Sequence, residues 1–352
     1  MKKLSLLTLS LALLFYFQSC SDDQTEPDVP MGDYENGYFV TNEGPFQNGS
    51  GSITFVGDDG TVHQNIYKKV NGEDLGNIVN SMQIVDDKAY IVVNNSNRIV
   101  VSNRYTMEKE AVISGEDIKN PRYFAAANGK GFVSNWGDPF DPADDFVTVV
   151  SLETNTVLTT FSVGEGPEKL LVEGDKLYIC LQGGYGSNNK VVVVDTFDLS
   201  IDATLTVGDV PNSIVTDGNS DVWVLCGGNP AWTGSETQGM LYRIIPGNYN
   251  MTPFEFQTTD HPASLSADMG KLYYELGGKI YEMDQSDQNL PVDAKAGLDG
   301  FYYSLTVEGG QLYATDAGDF ASEGSLNVFN ISSGTLLASI PMGIVPGQVV
   351  FP

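Results

Sequence analysis

Apolar and polar residues alternate through most of this chain in short runs separated by Gly, Asp and Asn, the pattern of strands joined by turns. Seven of these runs open alike, with a polar or small pair followed by an aromatic. They are Asn36-Gly37-Tyr38, Lys88-Ala89-Tyr90, Lys130-Gly131-Phe132, Lys176-Leu177-Tyr178, Asp221-Val222-Trp223, Lys271-Leu272-Tyr273 and Gln311-Leu312-Tyr313. The aromatics recur every 40 to 52 residues, the period of a four-stranded sheet repeated around an axis. The pattern therefore predicts an all-β, seven-bladed β-propeller with four-stranded blades.

A second sevenfold set marks the first strand of each blade: Ser81-Met82-Gln83-Ile84, Pro121-Arg122-Tyr123-Phe124, Pro167-Glu168-Lys169-Leu170, Pro211-Asn212-Ser213-Ile214, Pro262-Ala263-Ser264-Leu265, Tyr302-Tyr303-Ser304-Leu305 and Pro346-Gly347-Gln348-Val349. Proline suits a strand's first residue, where a missing N–H removes no ladder bond. With strands lettered A to D, the aromatic-opened run is strand B. The chain enters at Tyr38 in a strand B and ends at Phe351 in a strand A, so the last strand should pair beside the first and close the ring.

In this topology the B–C loops and D–A connections share one face. The B–C loops are long and rich: 43–48, 136–141, 182–189, 228–233 and 316–320. Long loops on a compact repeat fold usually carry function. Phe46, Trp136, Phe140, Tyr185, Trp232 and Phe320 lie at their tips, and the strand-B ends offer the amides Asn42, Asn94, Asn135 and Gln182. Together they read as an aromatic and amide platform for a large ligand, with folding of some tips over the blade edges as the alternative.

The first residues stand apart. Lys2 and Lys3 precede an apolar run from Leu4 to Phe17, and Ser19-Cys20 follows, as in a secretory signal. The run is short for a transmembrane helix. Residues 1–19 are expected to be a lipoprotein signal peptide and 20–36 a lipidated Cys20 with a flexible acidic tether; an ordinary cleaved signal is the alternative. Residues 37–352 form the propeller. Cys180 and Cys226 are expected to be packed in neighbouring blades, where an oxidising compartment permits a bridge without demanding one.

The 352 residues carry 18 Lys and Arg against 46 Asp and Glu, a net charge of −28, which is the wrong sign for nucleic acid. Acidity of this kind keeps an exported protein soluble; a cation-seeking surface is the other reading. No Walker loop, nucleophile elbow or Cys/His metal spacing is present in the sequence. Asp138, Asp141, Asp144 and Asp145 offer oxygens for Ca²⁺ without the spacing of an EF-hand. His261 precedes a blade-opening proline and is either a turn residue or a ligand contact. Amides orient ligands and catalyse poorly, so a binding protein without cofactor or metal is expected ahead of an enzyme.

The repeat, most plainly Tyr38-Phe39-Val40-Thr41-Asn42, resembles the YVTN-type propeller repeat. More specifically, the chain resembles the BtuG-type surface lipoproteins of Bacteroidota. The matching stretches are Val40-Thr41-Asn42-Glu43-Gly44 with Phe46-Gln47, Ile91 to Ser96, Pro121-Arg122-Tyr123, Tyr303 to Val307, Ala314 to Phe320 and Gly343 to Gly347. The resemblance covers the first two blades and the last well and the middle ones more loosely, with departures at 182–189 and 227–239. It implies a surface-exposed outer-membrane lipoprotein, marked by the acidic Ser21-Asp22-Asp23. It also implies that the protein binds cobalamin as cargo, not cofactor, and delivers it to a TonB-dependent transporter. The ligand-binding set expected is Asn42, Glu43, Phe46, Asn94, Asn135, Trp136, Tyr185, Trp232, Tyr302, Asp316 and Phe320, with Arg122, Tyr123 and His261 behind them. Capture of a glycan or siderophore, a surface interaction module, and a metal-dependent lactonase or hydrolase are the alternatives.

Overall fold

The computed structural model describes residues 31–46, 48–138 and 140–352; the signal segment and Cys20 lie outside them. The sequence folds as seven antiparallel sheets whose first strands contact one another in succession around a ring. These inner strands are Pro346–Val350, Val79–Val85, Pro121–Ala127, Pro167–Glu173, Pro211–Thr216, Ala263–Asp268 and Ser304–Glu308. Strand B follows outward in each blade, as in Gly37–Asn42, Lys88–Val93 and Lys176–Leu181. The final strand pairs antiparallel with Gly37–Asn42, Phe39 opposite Val350 and Val40 opposite Val349, so the ring is closed as expected.

The strand-B aromatics explain the repeat. A blade's sheet is apolar on both faces, and strand B is buried almost throughout, as in Gly37–Asn42, Lys88–Val93, Lys130–Asn135 and Lys176–Leu181. Neither face can be buried within one blade, so the core is divided into seven seams between neighbours. Tyr90 stacks on Phe124 of the next blade at 4.4 Å, and Tyr38 meets Tyr313 edge-on at 5.1 Å where the last blade joins the first. Cys180 and Cys226 share one seam as free, buried thiols, and burial pushes the Cys180 thiol up to about 12.

Three local features depart from the sequence pattern. The sixth blade has three strands, Ala263–Asp268, Lys271–Leu276 and Lys279–Asp284. Its outer place is taken by the irregular segment 285–303, tied to the edge by the Lys279–Asp299 bridge and by the Lys295 N–H on the Ile280 carbonyl. A short helix, Ile66–Asn71, fills the connection from first to second blade and buries Ile66 and Tyr67. Of the segment expected as flexible tether only residues 31–36 are described, and there Tyr34 is packed: its ring meets Phe55 and His63 edge-on and its N–H bonds the Tyr105 carbonyl. Tyr34 thus lies by the C–D turns, on the face opposite the B–C loops.

The inner strands are placed by a recurring backbone device. Ile78, Asn120, Gly166, Val210 and Val345, each just before an inner strand, have φ between 53° and 67°. Each presents its carbonyl to the N–H that follows the strand B of its own blade, at Asn94, Trp136, Gln182, Gly227 and Glu43. The left-handed turn costs β-branched Ile78, Val210 and Val345 about 1 kcal/mol or more each. In return it places a carbonyl where the end of strand B needs an acceptor. A register shift follows at the start of six of the seven inner strands, and a bulge there re-aims side chains. The shared register aligns Val79-Asn80-Ser81-Met82 with Pro121-Arg122-Tyr123-Phe124. The second blade's motif therefore begins two residues earlier than the sequence pattern placed it.

Deleting residues 346–352 removes the inner strand of the first blade and exposes two seams. Far-UV circular dichroism and thermal melting are expected to show loss of the cooperative transition of the whole disc, whereas survival of a native melt would show that closure is dispensable.

Candidate functional site

The inner strands begin at the face of the B–C loops, and a chamber of about 360 Å³ lies between them there. Its wall comes from the second and third residues of the strand-A motif: Asn80, Arg122 and Tyr123, Lys169, Asn212 and Ser213, Ser264, Tyr303 and Ser304, Gln348. Glu43 reaches in from the end of a strand B. Part of this polar ring holds the blades together. Asn80 Nδ2 and Ser81 Oγ both donate to the Arg122 carbonyl, Asn212 Nδ2 donates to the Pro262 carbonyl, and Gln348 Oε1 accepts from the Met82 N–H.

Three charged arrangements remain in the chamber. Arg122 forms a two-pronged pair with Glu168, Nε to Oε2 and Nη2 to Oε1, both at 2.9 Å, the geometry that gives such pairs their strength. Its guanidinium lies 4.2 Å from the centre of the Trp136 ring, whose Nε1–H donates to the Pro167 carbonyl at 3.1 Å. Glu43 accepts a 2.6 Å bond from the Tyr303 hydroxyl. Burial raises the Glu43 carboxyl, with Tyr303 and Arg122 pulling the other way, and burial followed by the Glu43 charge raises the Tyr303 hydroxyl. Lys169 sits with Nζ 3.9 Å from the centre of the Tyr123 ring. Among the described residues it makes no ion pair, so its charge is directed at the chamber. The site can donate hydrogen bonds and attract a carbonyl, carboxylate or phosphate oxygen.

The expected residues divide into groups. Glu43, Arg122 and Tyr123 line the chamber. Asn42, Asn94 and Asn135 do not: they are buried, and their amides tie backbone between elements. Asn42 Oδ1 accepts from the Gly343 N–H, Asn94 Nδ2 donates to the Pro121 carbonyl, and Asn135 Oδ1 accepts from the Lys119 N–H. Tyr302 also turns inward and donates to the Leu298 carbonyl, leaving its neighbour Tyr303 to face the channel. Asp316 caps its own loop through the Gly318 N–H. His261 joins the Gly227 carbonyl at 2.9 Å and lies 3.5 Å from Glu236, holding the fifth blade's B–C loop against the next connection.

Phe46 is 71% exposed and Trp232 85% exposed. Phe320 packs edge-on against Tyr303 and Phe301, forming an aromatic lip at the chamber. Trp136 and Tyr185 meet instead in a separate cavity between the third and fourth blades. Lys169, Asn80, Asn212, Ser213, Ser264, Ser304 and Gln348 were missed. Their signal was present, because the middle pair of the strand-A motif is polar in blade after blade where a buried strand would be apolar.

Among the described residues, no three His, Cys, Asp or Glu side chains converge on one point as metal ligands would. In the 138–145 loop, Asp144 accepts the Asp138 N–H and Asp145 accepts the Gly166 N–H at 2.6 Å. Burial, with Asp144, Glu165 and Asp141 nearby, raises the Asp145 carboxyl to about 6.

The chain belongs to the family described as DUF5074, a domain of unknown function, which matches residues 36–352. Among curated proteins none matches its sequence. It is similar in structure to a quinoprotein alcohol dehydrogenase-like protein from Bacteroides thetaiotaomicron, at 15% identity and a TM-score of 0.65, over 90% of this chain and 78% of that one. It is also similar to a hypothetical selenium-binding protein from Sulfolobus tokodaii, at 12% identity and a TM-score of 0.66, over 89% and 92%. At this distance the likeness shows the fold alone.

Replacing Glu168 with Gln leaves the Arg122 charge without its counter-ion and should cost about 3 kcal/mol in chemical denaturation. The double variant Arg122→Met/Glu168→Leu should lose less than Glu168→Gln alone; an equal or greater loss would mean that the ion pair itself holds the site. For Asp145 the folded carboxyl is raised, so the stability it contributes is present below pH 4 and lost as pH rises through 6. Asp145→Asn is therefore expected to be more stable than the natural protein at pH 7, by about 1–2 kcal/mol, and no more stable near pH 4. Denaturant midpoints at the two pH values check this.

Proposed function

We propose that this DUF5074-family propeller is a capture protein that binds its ligand at the chamber mouth without transforming it. The ligand is a corrinoid, passed on to a TonB-dependent transporter. The observation that carries the reading is a convergence. Four of the six stretches on which the resemblance rests, 40–44, 121–123, 303–307 and 343–347, are far apart in the chain, yet they supply Glu43, Arg122, Tyr123, Tyr303, Ser304, Leu305 and Gly347 to one chamber. Glu43 and Tyr303 even bond each other directly.

The chemistry of the chamber supports the same reading. A corrin has broad apolar faces and a rim of amides, and in cobalamin one side arm carries a phosphodiester. The aromatic lip of Phe301 and Phe320 suits the faces, Glu43, Ser213 and Ser264 suit the amides, and Lys169 suits the phosphate. At about 360 Å³ the chamber takes peripheral groups while the macrocycle lies across the mouth. The described start of the chain packs on the opposite face, so a lipid anchor at Cys20 would leave the mouth unobstructed.

Calorimetry with cyanocobalamin is expected to show saturable binding at micromolar protein, and Lys169→Met should weaken it about tenfold, or roughly 1.4 kcal/mol, without moving the melting temperature. Absence of binding would overturn the corrinoid assignment.

A further inference from the structure

A second cavity, of about 210 Å³, lies on the same face between the B–C loops of the third and fourth blades. Three aromatic side chains meet there. Tyr185 stands edge-on to Trp136, centroids 6.0 Å apart at 71°, and tilted against Phe140 at 5.3 Å and 42°. Trp136 is 8% exposed, but Tyr185 and Phe140 are 69% and 84% exposed. The two outer rings thus contribute little to any seam, and with Trp136 they form exposed apolar surface beside the cavity, which a ligand's apolar groups can cover.

The rest of the lining has one sign. Asp138, Asp141, Asp145 and Glu165 line the cavity, and among the described residues no Lys or Arg does. Arg122 rests on Trp136 but belongs to the wall of the central chamber. The carboxylates stand apart instead of converging as metal ligands, so their field is spread over the cavity. That suits a charge distributed over several carbons, which can also lie against aromatic faces. The loop is shaped to hold Tyr185 over this space. Gly183 has φ +101°, and a Cβ there would come within 2.6 Å of the Ser187 and Asn188 backbone.

We propose that the aromatic and acidic cavity between the third and fourth blades binds a small organic cation of the quaternary ammonium class. The site is separate from the central chamber and does not rest on the corrinoid reading.

The test is titration of the full chain with choline chloride, followed by calorimetry, against the uncharged isostere 3,3-dimethylbutan-1-ol and against calcium chloride. Choline is expected to saturate, with the isostere weaker by about tenfold. Tyr185→Ala should weaken choline by a similar factor. Phe197→Ala, an exposed aromatic in a turn on the opposite face, should leave it unchanged. Thermal melts of both variants show that the fold is kept, and neither side chain is buried. Equal binding of choline and its isostere, no saturable choline binding, or retention of affinity in Tyr185→Ala would each overturn the proposal. So would calcium binding that displaces choline and is indifferent to Tyr185→Ala, which would make the cavity a metal site.

Discussion

Everything in this molecule depends on burying both faces of each blade's sheet against neighbouring blades. A four-stranded antiparallel sheet in water normally solvates one face, but here strand B is buried on both. The apolar surface is shared among seven seams, so no blade has a core of its own, and the last seam exists only because Pro346–Val350 joins Gly37–Asn42. Stability is therefore a property of the closed ring.

Closure also creates the site. Once the sheets stand edge-in around an axis, their first strands converge at one place, and whatever side chains begin those strands face one another across the channel. The left-handed residues at Ile78, Asn120, Gly166, Val210 and Val345, followed by bulges, bring the opening residues of their strands to the mouth, among them Asn80, Arg122 and Tyr123, Lys169, Asn212 and Ser213, and Gln348. Architecture explains the buried amides too. Asn42, Asn94 and Asn135 sit where one blade hands over to the next, and the backbone N–H and C=O groups there would lose water without a partner. The groups left over, above all Lys169 and the Glu43–Tyr303 pair, are those that a ligand can use.

The fold was largely legible in the sequence because its cause is periodic. Seven aromatics at the start of strand B and seven strand-A openings reflect the same seam repeated, and even ring closure could be read from the register of the two ends. The site was less legible for a related reason. Asn42, Asn94 and Asn135 were expected at the ligand because they end strands that point toward it, but an amide's partner is set by a neighbouring blade far away in sequence. Tyr302 and Tyr303 show the limit most plainly. Adjacent and chemically identical, they are separated in role only by which one the strand turns inward. The polar pair in the middle of the strand-A motif, as in Glu168-Lys169 and Asn212-Ser213, is visible in the sequence, where it also serves as a mark of the repeat. In a propeller, a strand that is polar where its neighbours are apolar lines the channel.

The ligand site proposed is the channel mouth built by the strand-A motif. Hydrogen exchange of the backbone amides with and without cyanocobalamin tests it most directly. Added protection is expected at 122–124, 168–170, 212–214, 264–266 and 303–305, with the A–B and C–D turns on the opposite face unchanged. Protection confined to those opposite turns, or spread evenly over the blades, would contradict it.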